Sequence, residues 1–305
     1  MSQSQRFLAM AQEMNHKQLI DDLENTGNYR VLQKYQKPDF YNQEDGSEKI
    51  TGIFLDVETT GLSHENDRII EIALVPFEFS KDGRIFNLLE AYSGLEDPET
   101  PLSQKIISLT GLTDEMLAGK SFDDEAIKSI VESSNLIIAH NANFDRKFVE
   151  RRFSIFNGKS WACSASQVAW EDEGLASVKL EYLAYKFGYF FEGHRAQVDC
   201  YASLHLLSMT LPKSGDLVLK SLLNNARLKS YRIWALGSPF DSKDLLKNRG
   251  YRWPGDNGKN RSWYIDVDEE SKEQELKYLR EEIFKRDIDL PINPITAFNR
   301  FSERI

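Results

Sequence analysis

Residues 53–62 read Ile53-Phe54-Leu55-Asp56-Val57-Glu58-Thr59-Thr60-Gly61-Leu62. Ile53–Leu55 is a short apolar run that suits a buried strand. Asp56-Val57-Glu58 closes it. Side chains alternate along a strand, so Asp56 and Glu58 share one face and Val57 takes the other. Two acids on one face at the end of an apolar strand repel each other unless a cation sits between them. Hard oxygen ligands favour magnesium or manganese. Thr59-Thr60-Gly61 then turns the chain and places small groups beside the acids. By itself a D-x-E pattern is more often an ordinary strand end reaching solvent.

The flanking sequence supplies a sheet for this strand. Arg68–Phe79 and Ile85–Tyr92 read as two more strands, with Lys81-Asp82-Gly83 as the hairpin turn. Ser103–Leu117 and Asp124–Ser133 read as helices, and Leu136–Ala139 as another buried strand. Phe144–Phe153, Ser177–Phe187 and Val198–Met209 have helical apolar spacing. Three strands followed by alternating helix and strand predict an α/β fold, a mixed sheet flanked by helices. Upstream, residues 3–26 read as a polar helix with a broken apolar stripe (Phe7, Leu8, Leu19, Ile20, Leu23), stopped at Asn25-Thr26-Gly27-Asn28. Residues 37–50 read as a linker. Leu211–Gly215 is the clearest boundary. Beyond it, Tyr231–Leu236 and Ser262–Val267 read as strands, Ser242–Asn248 as a short helix and Glu269–Lys285 as a charged helix. The tail from Pro291 shows little pattern. The expected organisation is a 1–50 helix and linker, a 51–210 main domain and a small α+β module over 211–305.

Composition excludes several classes. The chain has 305 residues, 41% hydrophobic and 28% charged, with 17 Gly and 9 Pro, which is the balance of a folded globular protein. No run approaches the ~18 apolar residues of a membrane span, and the N-terminus lacks a basic stretch followed by an apolar run. Cys163 and Cys200 form neither a CxxC pair nor a disulfide framework. A reduced, cytoplasmic protein with no membrane association is expected. The net charge of −10 hides an asymmetry: residues 219–265 hold 10 basic and 3 acidic side chains. Clustering of this kind points to a polyanion partner for that segment.

Two further acids matter. Asp145 ends His140-Asn141-Ala142-Asn143-Phe144-Asp145, after the Leu136–Ala139 strand. Asp199 ends Gly193-His194-Arg195-Ala196-Gln197-Val198-Asp199. Each alone suits a helix start, and a lone loop histidine such as His194 is usually solvated. Their conjunction with Asp56-Val57-Glu58, in this order at the ends of three predicted elements, is far more specific. The three stretches resemble the motifs of the DEDDh (DnaQ-like) 3′–5′ exonucleases, which include the proofreading epsilon subunit of bacterial replicative DNA polymerase and ribonuclease T. The resemblance spans about residues 51–210 and includes Ile107–Asp114.

The resemblance implies a ribonuclease H-like fold and two divalent ions, Mg²⁺ or Mn²⁺. Asp56 would bridge both ions, Glu58 and Asp199 would hold one, and Asp145 would help hold the other. Such a pair activates water and stabilises the leaving 3′ oxygen. His194 would be the general base, since its ordinary pKa of about 6.5 lies near neutrality. Thr59 and Leu62 match positions that contact or wedge the terminal nucleotide. Phe144 matches an aromatic that packs on a base, and core packing fits it equally well. No motif residue departs from the pattern, so an active enzyme is expected, releasing nucleoside 5′-monophosphates from the 3′ ends of nucleic acid, with single-stranded DNA favoured.

Residues 229–267 interleave Trp234, Trp253 and Trp263 with Arg249, Tyr251, Arg252, Lys259 and Arg261. Cations neutralise phosphate and aromatic faces stack on unpaired bases, so the mixture suits a single strand held upstream of the active site. For Trp253 and Trp263 a small core is the commoner use. The module favours a free-standing enzyme of DNA repair or turnover. Alternatives are a polymerase-associated proofreading subunit, an RNA 3′-end trimming enzyme and a catalytically silent binding protein.

Overall fold

The Ile53–Leu55 run lies inside a ten-residue strand, β1 (Ile50–Thr59), in the computed structural model, which describes residues 15–254 and 261–305. β1 pairs antiparallel with β2 (Ile69–Phe79) and parallel with β5 (Leu136–Ala139). The sheet order is β3 (Ile85–Leu88), β2, β1, β5, β6 (Trp161–Cys163), and β4 (Tyr92–Leu95) also pairs with β2. The strands are covered on both faces, which is why they read as continuous apolar runs. Alternation divides β1 between two cores. Phe54 enters one with Ala73 and Val75, whereas Ile53 and Leu55 enter the other with Ile72 and Leu74.

Helix α3 (Ala142–Arg152) covers the face of Ile53 and Leu55, burying Ala142, Phe148 and Val149 there. Helix α5 (Ala196–Leu207) covers the face of Phe54, burying Ala196, Cys200 and Leu204. Asp56 and Glu58 have the parity of Phe54 and therefore project toward α5. The mixed sheet flanked by helices is as the sequence predicts.

Two predicted elements are divided. The run 85–92 holds one edge strand, β3, and at Tyr92 the start of a second, β4, with the break opposite Pro76. Pro76 has no N–H for the ladder, so only its carbonyl is used, accepting from Leu89 N–H at 2.8 Å. The run 103–117 becomes α1 (Gln104–Thr110) and a single turn at Asp114–Leu117. Gly111 ends α1 in the left-handed region at φ 69°, and the Thr113 hydroxyl then caps the next turn. Helices α2 (Asp124–Glu132) and α4 (Leu180–Lys186) lie within the predicted ranges.

Past residue 210, helix α6 (Val218–Arg227) buries Val218, Leu219, Leu222 and Leu223 in the same core as Phe54. The module beyond it is a sheet in the order β8 (Tyr264–Asp268), β7 (Ser230–Trp234), β9 (Ile292–Ile295), with α7 (Lys243–Asn248) and α8 (Lys272–Tyr278). The predicted helix 269–285 starts later because the Asp268 carboxylate accepts the Ser271 N–H at 2.7 Å and holds a turn first. It continues from α8 into wider π-helical turns at Leu279–Phe284. The patternless tail holds β9, an edge strand that tolerates Pro294. Trp263 packs on the module core of Ile233, Leu246, Tyr251 and Leu276. Trp253 is 47% exposed, with its ring centroid 5.7 Å from that of Trp263. Core packing thus holds for Trp263 but only loosely for Trp253. Lys259 lies outside the described residues, as do Phe7 and Leu8. Residues 15–25 are helical, with Leu19 and Leu23 exposed. Among the described residues no helix is long and apolar enough to cross a membrane.

The last residues strap the module to the sheet. Arg146 on α3 is fully buried. Its guanidinium donates to Phe298 O at 2.6 Å, Arg300 O at 2.7 Å and Glu150 Oε1 at 2.7 Å. Burial pushes its pKa down to about 10. A buried guanidinium left without these acceptors is strongly destabilising, so the tail is an integral part of the fold around α3. Trp161 N–H extends the tie, donating to Ala297 O at 2.8 Å.

Candidate active site

Carboxylate oxygens of Asp56, Glu58 and Asp199 lie within 4.8 Å of one another. β1 delivers the first two at its C-terminal end, and the first turn of α5 delivers the third across the same face. Asp145 stands behind them, 3% exposed, and its Oδ1 accepts the Val57 N–H at 3.3 Å. It enters from α3 on the opposite face, beside the end of β1.

Burial raises all four acids, and neighbouring carboxylates add to the rise at Asp56 and Glu58. Burial, then Asp145, Asp199, Glu58 and Glu71, hold the Asp56 carboxyl well above its ordinary range. Burial and then the Asp199 charge push Glu58 up to about 8. Burial raises Asp145 to about 7 and Asp199 to about 6. Backbone N–H donors and the nearby His194 partly offset the rise at Asp199. Clustered oxygen donors carrying uncompensated negative charge fit a hard divalent ion.

A stability consequence follows. Raised carboxyl pKa values mean that the folded, metal-free protein binds more protons than the unfolded chain. These groups therefore cost least at low pH and most once pH rises past their folded values. Buried His140 and His205, with lowered pKa values, act in the opposite sense, but only below about pH 6.5. Between pH 7 and 8 the carboxylates dominate. The Tm of EDTA-treated protein should fall by about 2–4 °C over that unit, since one group over one unit is worth at most ~1.4 kcal/mol. Mn²⁺, which needs the deprotonated ligands, should raise Tm more at pH 8 than at pH 6. A metal-free Tm that rises from pH 7 to 8 contradicts the clustering.

His194 is exposed and sits at φ 67°, a left-handed conformation uncommon for a residue with a side chain. Gly193 before it leaves room at the acids: a Cβ there would lie 3.3 Å from Asp199 Oδ1. Leu62 is 83% exposed on the loop after β1. Thr59 is buried, and its hydroxyl donates to Gly61 O at 2.6 Å. Asp67 shapes this loop, accepting from Thr60 Oγ1 at 3.0 Å and Ser63 N–H at 2.8 Å. Phe144 is half-buried with its ring centroid 4.8 Å from that of Phe148, so one face belongs to the core.

Two residues of this site are not selected in the sequence reading. Glu71 lies directly across the β1–β2 pair from Glu58 and is 1% exposed. Arg195 grips it with Nε at 3.1 Å and Nη2 at 2.9 Å, and the Ala196 N–H adds a third donor at 3.2 Å. Arg195 also gives its backbone N–H to Asp199 Oδ2 at 3.0 Å. The pair thus ties the His194 loop and Asp199 to the strand beside Glu58. An acid flanked by Ile70 and Ile72 inside the apolar run Ile69–Phe79 was the available signal, because a buried carboxylate needs a partner.

Comparisons with known proteins agree on kinship. Residues 53–207, about half of the chain, match the RNase_T family model, described as "Exonuclease". The DNA polymerase III PolC-type protein of Clostridium perfringens is 31% identical over 172 residues, covering 54% of this chain and 11% of that protein. Its counterpart in Listeria welshimeri is 41% identical over 119 residues, covering 38% and 8%. The chain therefore spans about a tenth of the length of these relatives. Among solved structures, E. coli Exonuclease I with a dA16 oligonucleotide matches at TM-score 0.47 and 17% identity, covering 76% of this chain and 71% of that one. Exonuclease X with 5′-overhanging duplex DNA matches at TM-score 0.40 and 24% identity, covering 55% and 99%.

Proposed function

The chain belongs to the DnaQ-like (DEDDh) exonuclease family, and we propose that it is a metal-dependent 3′–5′ exonuclease releasing nucleoside 5′-monophosphates, with DNA the favoured substrate. The observation that carries this reading is the convergence of Asp56, Glu58 and Asp199 within 4.8 Å, backed by buried Asp145 and flanked by exposed His194. Asp56 is central, facing both Glu58 with Asp199 and Asp145, and would touch each of two ions. Glu58 and Asp199 would help hold one ion and Asp145 the other. Two Mg²⁺ or Mn²⁺ ions so held would supply an activated water and charge stabilisation at the leaving 3′ oxygen. His194, on the exposed rim, accepts the proton of the attacking water. Leu62 presents an apolar tip to wedge the terminal base, the Thr59 segment positions that nucleotide, and the half-exposed side of Phe144 packs on a base. The module beyond α6 holds the strand.

The relatives' names, DNA polymerase III, support DNA as the polymer. The deciding assay uses 5′-labelled single-stranded DNA and RNA of one sequence. A ladder shortening from the 3′ end is expected with Mg²⁺ or Mn²⁺ and none with EDTA, DNA being consumed faster. Faster RNA loss would replace DNA by RNA as substrate. Binding without any ladder would leave a silent nucleic-acid binding protein instead.

A further inference from the structure

A cleft of about 1360 Å³ runs between the sheet domain and the C-terminal module. That is larger than the ~300–1,000 Å³ of an ordinary small-molecule pocket. One wall carries Asn143 and Lys147, a helical turn apart on α3, with Asn141 just before them. Asn141 and Asn143 belong to the same short motif as Asp145, although none of the four site acids lines the cleft itself. Ser63, next to Leu62, lines the same end.

The facing wall is the module sheet, with Arg232, Arg252 and Tyr264. The Arg232 and Arg252 guanidiniums lie 4.1 and 5.2 Å from the Tyr264 ring centroid. One carboxylate, Asp266, holds both of them, at 2.7 Å from Arg232 Nε and 2.9 Å from Arg252 Nη2. Two cations sharing one anion leave the wall positive, and the Arg252 side chain is 61% exposed. Lys147 forms no ion pair among the described residues. On a chain of net charge −10 this cleft is lined by five cationic and three acidic side chains.

Resting on the exonuclease reading, we propose that this cleft is the track for the single strand lying 5′ of the scissile nucleotide. Lys147 and Arg252 meet phosphates from opposite walls. Tyr264 offers an aromatic face to a base, with its cations held in place by Asp266, and the Asn141 and Asn143 amides reach the strand next to the acids. Phosphate contacts give affinity without sequence preference, and stacking on a ring is tolerant of base identity. An acidic peptide would use the cations alone. The aromatic wall, and a lining that includes Ser63 beside Leu62 and Asn143 beside the Phe144-Asp145 pair, select a nucleic-acid strand.

The test is binding of the full chain to oligodeoxythymidylates of increasing length, from a dinucleotide upward, in EDTA. Affinity should climb with length and fall with salt. Lys147→Gln and Arg252→Gln should each weaken binding of the long oligomer about three- to tenfold and flatten the slope of log K against log salt by ~0.7. Lys147 has no ion pair to lose, so its substitution reports on the track even if Arg252→Gln perturbs the module. Point substitutions are preferable to truncation at residue 212, because α6 and the Arg146 strap belong to the main core. Length-independent affinity, or variants with unchanged affinity and slope, overturns the track. Dinucleotide hydrolysis by the unaltered protein in Mn²⁺ tests the acidic site separately. Hydrolysis without length-dependent binding removes the track and keeps the exonuclease. Length-dependent binding without hydrolysis does the reverse.

Discussion

Replacing Asp56 with Asn should lower 3′-end hydrolysis by about a thousandfold or more, while the metal-free protein becomes more stable. The loss follows from position. Asp56 has Asp145, Asp199 and Glu58 all near enough to raise its pKa, so it is the ligand on which the others converge. An amide of the same shape keeps the packing but removes the charge that attracts a divalent ion. A thousandfold corresponds to ~4 kcal/mol of transition-state stabilisation, a modest demand for losing a bridging metal ligand. The gain follows from the same repulsion. In EDTA, at pH above the raised pKa of the wild-type carboxyl, the neutral amide removes one charge from among Glu58, Asp145 and Asp199, so Tm should rise. As pH falls through the raised pKa of the wild-type carboxyl that charge is lost, and the difference should shrink. Function and stability are opposed here, as expected where a site stores like charges for a ligand. Steady-state hydrolysis and paired melting curves check both halves. A variant within tenfold of wild type, or one less stable in EDTA above that pKa, would show that Asp56 is not the centre of the site.

The parts of the site visible in the sequence are those governed by local periodicity. A period of two puts Asp56 and Glu58 on one side of β1, and that side is the one α5 covers, so the D-x-E pattern already implied a shared face. Asp145 and Asp199 lie in the first turns of α3 and α5, where their motifs place them. What local pattern does not carry is partnership at long range. Glu71 and Arg195 are separated by 124 residues, and only the antiparallel register puts Glu71 opposite Glu58. The strap is similar: Arg146 reads as one more charge on an amphipathic helix, and besides Glu150 its acceptors include carbonyls 152 and 154 residues away. Carbonyls have no sequence signature, so the tail looked patternless. The breaks at Pro76 and Gly111 were legible residue by residue, but the pull of apolar periodicity outweighed them.

The Glu71–Arg195 pair yields the second large effect, one exerted through position. Neither residue needs to touch a metal ion or the substrate. Glu71 receives three donors from Arg195 and Ala196, and the same backbone segment carries His194 and fixes Asp199. Glu71→Gln keeps the shape but weakens a charge-assisted fork. Arg195→Gln removes the fork from the other side. Each should lower kcat by about 10- to 100-fold, the usual scale for a group that orients a ligand from behind, with a smaller change in KM. A merely structural role would lower the active fraction and Tm and leave the kcat of the folded remainder intact. Because Arg195 is 45% exposed, its freed guanidinium can turn to water, so the stability loss of Glu71→Gln should stay well short of that for a fully buried pair. A double-mutant cycle separates coupling from coincidence. If the pair acts as a single clamp, the double variant should be no slower than the worse single variant. Additive losses would mean that Glu71 and Arg195 serve the site independently, Glu71 through its charge beside Glu58 and Arg195 through its own contact with the strand.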